Sequence, residues 1–476
     1  MERKIKKSEV NPKNFPHRIV IKFQDAFPLP YESEGNIMDY LLKKQIIPVK
    51  ELLEQYPGIK IKKLFTSVEP EKITKLVKNA QKISADYKPP QLFSYCAMDC
   101  PYKMDASKVL QEVIKSKHVE FAYIASEPAP SPSPCNATGT NPRSMNQGYL
   151  DPAPKGINAR YAWAFDGGCG TGNVQFIDIE YAWDLNHEDI REANISFLWG
   201  NENFPDEKEH GTAVLGIVLM QDNEFGGLGI TPKVKSGLVS RISPEGVNSI
   251  EDAILNAISH LNFGDILLLE VQILDPITRD RYLPVEIERS IFDAILLATS
   301  SGIIVIEAAG NGNLARGFNL DEFTDKYRKT ILDRESNDFK NGRDSGAILI
   351  AGASDVVTIV HKQGKKISQH GKTKSSNYGN RIDCYAWGNN VFTTDPLEVP
   401  PYDFDFSGTS SASAIIAGAA IAIQSIVEAS GKQRLSPAEM RDILSNPSNG
   451  TVSRNRIGIM PDLRKIIDHA LPALRL

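Results

Sequence analysis

The chain has 476 residues, 41% hydrophobic and 24% charged, enough for one large domain or two to three ordinary ones with a packed core. Its 54 basic and 59 acidic side chains leave a net charge of −5, which excludes the basic field of a nucleic-acid binder, and no apolar run reaches the length of a membrane span. Five cysteines (Cys96, Cys100, Cys135, Cys169, Cys384) in so long a chain are not a disulfide framework, and Cys96 and Cys100 lack a second ligand pair at metal spacing.

In chain order, the N-terminus MERKIKKSEVNPKNFPHRIVIKF is basic, and its charges return before any apolar h-region. No standard secretory signal is read there, so a cytoplasmic location is expected, with non-classical export left open. The acceptor form Asn136-Ala137-Thr138 then has no secretory route to give it meaning. His17 to Phe23 reads as a strand. Glu69 to Lys82 reads as a helix, with Ile73, Leu76 and Val77 at helical spacing and Pro70 in the first turn. Ser107 to Ser116 is a second helix and Val119 to Ile124 a closing strand. This order predicts a small α+β, ferredoxin-like module over residues 1–125. Residues 126–150, rich in Pro, Ser, Asn and Gly, read as an extended linker to the rest of the chain, residues 151–476.

Beyond the linker, apolar runs at 174–178, 234–240, 265–271, 303–309 and 347–353 alternate with helical patterns at 251–261 and 286–302. That alternation predicts a mostly parallel sheet covered by helices on both faces. The highly charged stretch Leu314 to Ser345 reads as a surface insertion. Polar groups fall at the strand exits and helix entries, where such sheets collect their ligands. Asp178 ends one strand, His210 opens a helix (EHGTAVLGIV), Asn311 follows IIVIEAAG, and Ser410 opens the long apolar helix after FSGT. Singly, each has an ordinary reading: Asp178 and Ser410 as caps, His210 as a buried histidine, Asn311 as a turn residue. Together they suit acyl transfer. A Ser hydroxyl needs a base, His supplies one near neutral pH, a carboxylate holds the imidazole, and amide donors meet the oxyanion.

Four ordered stretches, QFIDIEYAWDLNHEDI, HGTAVLGI, IEAAGNGN and SGTSSASAIIAGA, resemble the motifs of the subtilisin-like serine proteases (subtilases, peptidase family S8), as does SSNYGNRIDCYAWGNNVFTT. The resemblance spans roughly residues 150–430. It implies a subtilisin-like fold and a serine endopeptidase with Asp178, His210 and Ser410 as triad and Asn311 as oxyanion donor. It also implies protein or peptide substrates and no cofactor for the chemistry; structural calcium is common in the family but no ligand set is assignable here. The N-terminal module then resembles a propeptide that assists folding and blocks the cleft.

The chain departs from the family pattern in places. Ile179 and Glu180 follow the aspartate where a small residue and Gly are usual; mutating Glu180 is a control against the Glu base of the sedolisin relatives. Ala414 stands where Pro is usual. Glu270, Val271 and Gln272 occupy the substrate-binding strand, which with Gly310 is expected to line the cleft, and Glu270 there could favour a basic substrate side chain, face solvent or pair with an Arg. The sedolisin relatives pair their Ser with a Glu base and an Asp oxyanion residue, against which His210 and Asn311 argue. The alternative function is a catalytically silent scaffold or regulatory binding protein; the order Asp, His, Ser disfavours an α/β-hydrolase.

Overall fold

The computed structural model describes residues 17–31, 37–44, 47, 49–101, 104–125, 144–204, 207–223, 225–362 and 365–473. Four strands, β1 (His17–Phe23), β2 (Lys60–Lys63), β3 (Tyr95–Cys100) and β4 (Val119–Ile124), form an antiparallel sheet in the order β2-β3-β1-β4. This is the expected ferredoxin-like arrangement. Helices Pro70–Ile83 and Ala106–Val113 lie within two residues of their expected starts. β3 was not read from the sequence, because Tyr-Cys-Ala-Met-Asp-Cys has no β-branched residue. Its six residues are nonetheless all buried. Asp99 is tolerated there because Arg18, directly opposite on β1, donates to it at 2.7 Å.

The second unit is built on a long sheet. Its strands are β5 (Gln175–Glu180), β6 (Ile195–Trp199), β7 (Lys235–Ser240) and β8 (Ile266–Leu269), with a separate hairpin of β9 (Gln272–Leu274) and β10 (Tyr282–Pro284). Then come β11 (Ile304–Ala308), β12 (Ile348–Lys362), β13 (Lys365–Lys372) and β14 (Cys384–Trp387). A second hairpin, β15 (Val391–Thr394) and β16 (Tyr402–Phe406), precedes the closing strands β17 (Gly450–Val452) and β18 (Ile459–Pro461). The order is β17-β18-β14-β12-β11-β8-β5-β7-β6, with neighbours parallel from β18 to β6 and β13 folded back on β12. The run expected at 347–353 therefore continues into a hairpin arm.

Alternation along the strands sorts the core into two faces. Phe176, Leu238, Ile266, Leu268, Ile304 and Ile306 pack with helices Lys208–Leu219 and Thr409–Ala429. Ile177, Ile179, Val239, Leu267, Leu269 and Val305 pack with helices Ile250–Ile258 and Arg289–Ser300. The module's core is continuous with this second face. Polar contacts pin the seam: the Asp252 carboxylate accepts the N–H groups of Thr66 and Ser67 at 3.0 and 2.9 Å, and Tyr95 donates to Asp293 at 2.6 Å.

Two boundaries differ from the sequence reading. Of the expected linker 126–150, residues 126–143 lie outside the described residues, and packed chain has already resumed at Gln147, Tyr149 and Leu150, all fully buried. The charged stretch 314–345 is more than surface. Leu320, Phe323, Ile331, Leu332 and Phe339 enter the core, and Lys326 donates to the Ala122 carbonyl of the module at 2.9 Å.

Candidate active site

β5 lies where the chain order switches, with β7 on one side and β8 on the other. Side chains at its carboxyl end therefore meet groups from both halves of the sheet. The period of two places Asp178 and Glu180 on the face of Phe176, under the helices that begin near His210 and Ser410. Glu180 Oε1 receives His210 Nδ1, and its Oε2 accepts the Tyr181 N–H at 3.2 Å. Asp178, one pleat deeper, accepts the Trp183 indole N–H at 2.9 Å, and its Oδ1 has no hydrogen-bond partner among the described residues. His210 thus bonds Glu180, while Asp178, expected beside the imidazole, bonds the Trp183 indole. The shorter carboxylate is fully buried and engaged by the indole; the longer one sits nearer the strand exit.

Charge follows from this geometry. Burial raises the Asp178 pKa well above the usual carboxylate range, and the neighbouring Glu180 charge adds to that, against the Trp183 hydrogen bond. Burial opposes charging of His210, but the Glu180 charge and hydrogen bond outweigh it, with help from Glu207 and Glu209, so its pKa rises.

His210 stands in the first turn of its helix, which approaches the loop after β5 very closely. A Cβ on Gly211 would lie 2.4 Å from the Ala182 carbonyl oxygen. Thr212 fastens the same turn by accepting the Asp184 N–H at 2.8 Å. The other side of the imidazole faces the Phe406 ring, edge to face, with centroids 5.5 Å apart.

Ser410 is the second residue of helix Thr409–Ala429 and 7% exposed. Gly408 before it has φ +103°, a conformation L side chains rarely adopt, and a Cβ there would press on the Asn311 amide at 3.2 Å. Asn311 is fixed from two sides. Its Oδ1 accepts the Thr409 N–H at 2.9 Å, and its own N–H and Nδ2–H donate to Gln272 Oε1 at 3.0 and 3.2 Å. The acceptor end of the amide is thereby turned toward the Ser410 helix. The NH₂ end keeps one proton beyond the bond to Gln272.

The subtilase family profile (Peptidase_S8) matches residues 178–459. This chain belongs to the subtilase family. It is similar to subtilisin DY of Bacillus licheniformis, 24% identical over 254 residues, 53% of this chain and 77% of that protein. It is also similar to subtilisin E of Bacillus subtilis, 28% identical over 193 residues, 38% of this chain and 46% of that protein. An intracellular serine protease of Paenibacillus polymyxa is 24% identical over 296 residues, 60% of this chain and 76% of that protein. Among solved structures, the prenylagaramide maturation protease PagA aligns at 18% identity with a TM-score of 0.45, covering 65% of this chain and 97% of that one.

In this subtilase the expected substrate strand has a different use at each residue. Glu270 does not face solvent: it is 5% exposed and its Oε1 lies 2.5 Å from the Ser413 hydroxyl. Val271 is buried in the opposite face of the core. Gln272 holds Asn311, and Gly310 (φ +86°) lets the chain pass 2.8 Å from the Tyr282 carbonyl, measured to the Cβ that any other residue would carry. Sequence reasoning gave no role to Asn377 within SSNYGN. Its side chain donates to the carbonyls of Ala309 and Tyr282 at 2.7 and 2.9 Å, bracing the Asn311 loop against β10. Among the described residues no three His, Cys, Asp or Glu side chains converge as a metal site. The Ser410 helix is long and apolar enough to cross a membrane, but here its residues from Thr409 to Val427 are all buried in the core.

Proposed function

We propose that this subtilase is a serine endopeptidase with Ser410 as nucleophile, His210 as base and acid, and Glu180 in place of Asp178 as the carboxylate that orients the imidazole. The Glu180–His210 hydrogen bond carries the reading. A proton held on Nδ1 by Glu180 leaves Nε2 as the acceptor, the tautomer a serine base requires. The Ser410 proton passes to Nε2 as Oγ bonds to the scissile carbonyl carbon. The former carbonyl oxygen becomes an oxyanion, met by the Asn311 NH₂ and the Ser410 N–H at the helix start. The imidazolium formed is stabilised by Glu180 and returns its proton to the leaving amine, giving the acyl-enzyme. Water, deprotonated by the same imidazole, then releases the acid and restores Ser410. Protein or peptide chains are the substrates in this reading.

The N-terminal module fits an intramolecular inhibitor or folding aid. Its core joins that of helices Ile250–Ile258 and Arg289–Ser300. Ile124 and Ala125, its last described residues, line a cavity of about 310 Å³ with Leu274 and Asp275 at the end of β9.

The test is peptidase activity of Ser410→Ala. The reading expects less than about a hundredth of wild-type kcat/KM with the fold retained. A variant that keeps more than this removes Ser410 as the nucleophile.

A further inference from the structure

The Ser413 hydroxyl sits one turn into the Ser410 helix and has three oxygen neighbours: the Thr409 carbonyl at 2.8 Å, the Ser410 carbonyl at 3.1 Å and Glu270 Oε1 at 2.5 Å. A serine has one proton to give. A helical serine gives it to the carbonyl four residues back, here Thr409. With that proton on Thr409, the contact between Ser413 and Glu270 is held by a proton on the Glu270 carboxyl, which then donates to the Ser413 hydroxyl. The surroundings agree. Glu270 is 5% exposed, and among the described residues its Oε2 has no hydrogen-bond partner. Asp178 and Glu180 share its face of the sheet, since Glu270 continues the alternation of Ile266 and Leu268, and Leu268 pairs with Asp178. Three carboxyls therefore lie on that face, and His210 bonds Glu180. Burial first, and then the Glu180 charge, favour the neutral acid; the Ser413 and Ser410 hydroxyls pull the other way.

We propose that Glu270 is a positioning residue for the nucleophile: a permanently protonated carboxylic acid that donates to Ser413 and so fixes the helical turn carrying the Ser410 hydroxyl and N–H. The inference rests on the reading of Ser410 as nucleophile. Neutrality is what the position demands. An ionised Glu270 would place a second buried negative charge beside Glu180 and would draw the Ser410 proton away from the imidazole. Val271, next along the chain, faces the opposite core, so strand alternation aims the acid at the helix and not at a substrate.

The experiment uses the full chain with Glu270→Gln, Glu270→Ala, Ser413→Ala and the double variant Glu270→Ala/Ser413→Ala. Gln keeps the shape and an N–H donor, so E270Q is expected within about threefold of wild-type kcat. E270A and S413A each lose about 10–100-fold in kcat with KM little changed, because a nucleophile misplaced by about an ångström loses that much. The double variant loses no more than the worse single one, since both remove the same contact. An E270Q as damaged as E270A, a loss carried in KM, or additive losses would overturn the role. Infrared difference spectra of wild type minus E270Q at neutral pH supply a readout independent of activity. A carboxylic-acid C=O band that shifts in D₂O is expected, and a carboxylate band in its place would overturn neutrality. A wild type that neither cleaves peptides nor reacts with a fluorophosphonate sinks the hydrolase reading and with it the positioning role, while the infrared band still decides the protonation state.

Discussion

Glu180 holds the Nδ1 side of His210, while Asp178, two residues earlier on the same strand face, is bonded to Trp183. The two carboxyls therefore differ in consequence. Glu180→Gln leaves the ring without its carboxylate and is expected to lower kcat/KM by about 10³–10⁴, as loss of the orienting acid does in a serine triad. Asp178→Asn keeps an acceptor for the indole and is expected to stay within about tenfold. Steady-state kinetics on one peptide substrate compares them, and the reverse ranking returns the role to Asp178.

Asn311 should act on developing charge and not on the ground state. Asn311→Ala removes the NH₂ donor and is expected to lower kcat by about 10²–10³ with KM nearly unchanged. The same variant removes the acceptor of the Thr409 N–H. Asn311→Asp, which keeps that acceptor and loses the donor, should be at least as slow. A loss confined to KM would make Asn311 a substrate-binding residue.

The pH profile follows from the raised His210 pKa. A base must be neutral to accept the Ser410 proton, so kcat/KM rises as pH climbs through that pKa. Glu180, Glu207 and Glu209 all favour the imidazolium. The acidic limb is accordingly expected above the ordinary histidine value of about 6.5. Glu207→Gln and Glu209→Gln should each move it down without abolishing activity. An acidic limb below the ordinary value, or one indifferent to both substitutions, would contradict the electrostatics.

At the module seam, Asp252→Ala leaves the Thr66 and Ser67 N–H groups without their carboxylate. The expected loss is about 1–3 kcal/mol of docking, read as a lower melting temperature of the full chain. If the module inhibits, cutting the chain between residues 126 and 143 raises activity, and the cut Asp252→Ala protein reaches full activity at higher concentration than the cut wild type. Equal activity before and after cutting would make the module a folding element only.

Much of this arrangement was legible in the sequence where local and tertiary signals agree. The apolar runs of β5, β7 and β11 are continuous because both faces are buried, and β1 and β4 were read with their observed bounds. His210, Asn311 and Ser410 stand out in the sequence at a strand exit or a helix entry, and beside two of them lie small residues, Gly211 and Gly408, where the structure shows close approaches. β3 was missed because its burial comes from the partner strands and not from its own residue types. The charged stretch 314–345 hid Leu320, Phe323 and Phe339, whose spacing follows no single period. Glu180 was legible in principle, since alternation puts it on the Asp178 face one pleat nearer the exit. Which carboxylate reaches His210 depends on side-chain length and on the Trp183 indole, and neither is a pattern in sequence. The use of Glu270 depends likewise on which turn of a helix about 140 residues later packs over β8.

The most direct measurement is fluorophosphonate labelling of the full chain, with the modified residue located by peptide mapping and the rate followed in wild type, Ser410→Ala, Asp178→Asn and Glu180→Gln. The account predicts a single adduct on Ser410, none in Ser410→Ala, a rate near wild type for Asp178→Asn and a rate lower by about 10³ or more for Glu180→Gln. An adduct on another residue, or labelling that survives Ser410→Ala unchanged, would contradict it.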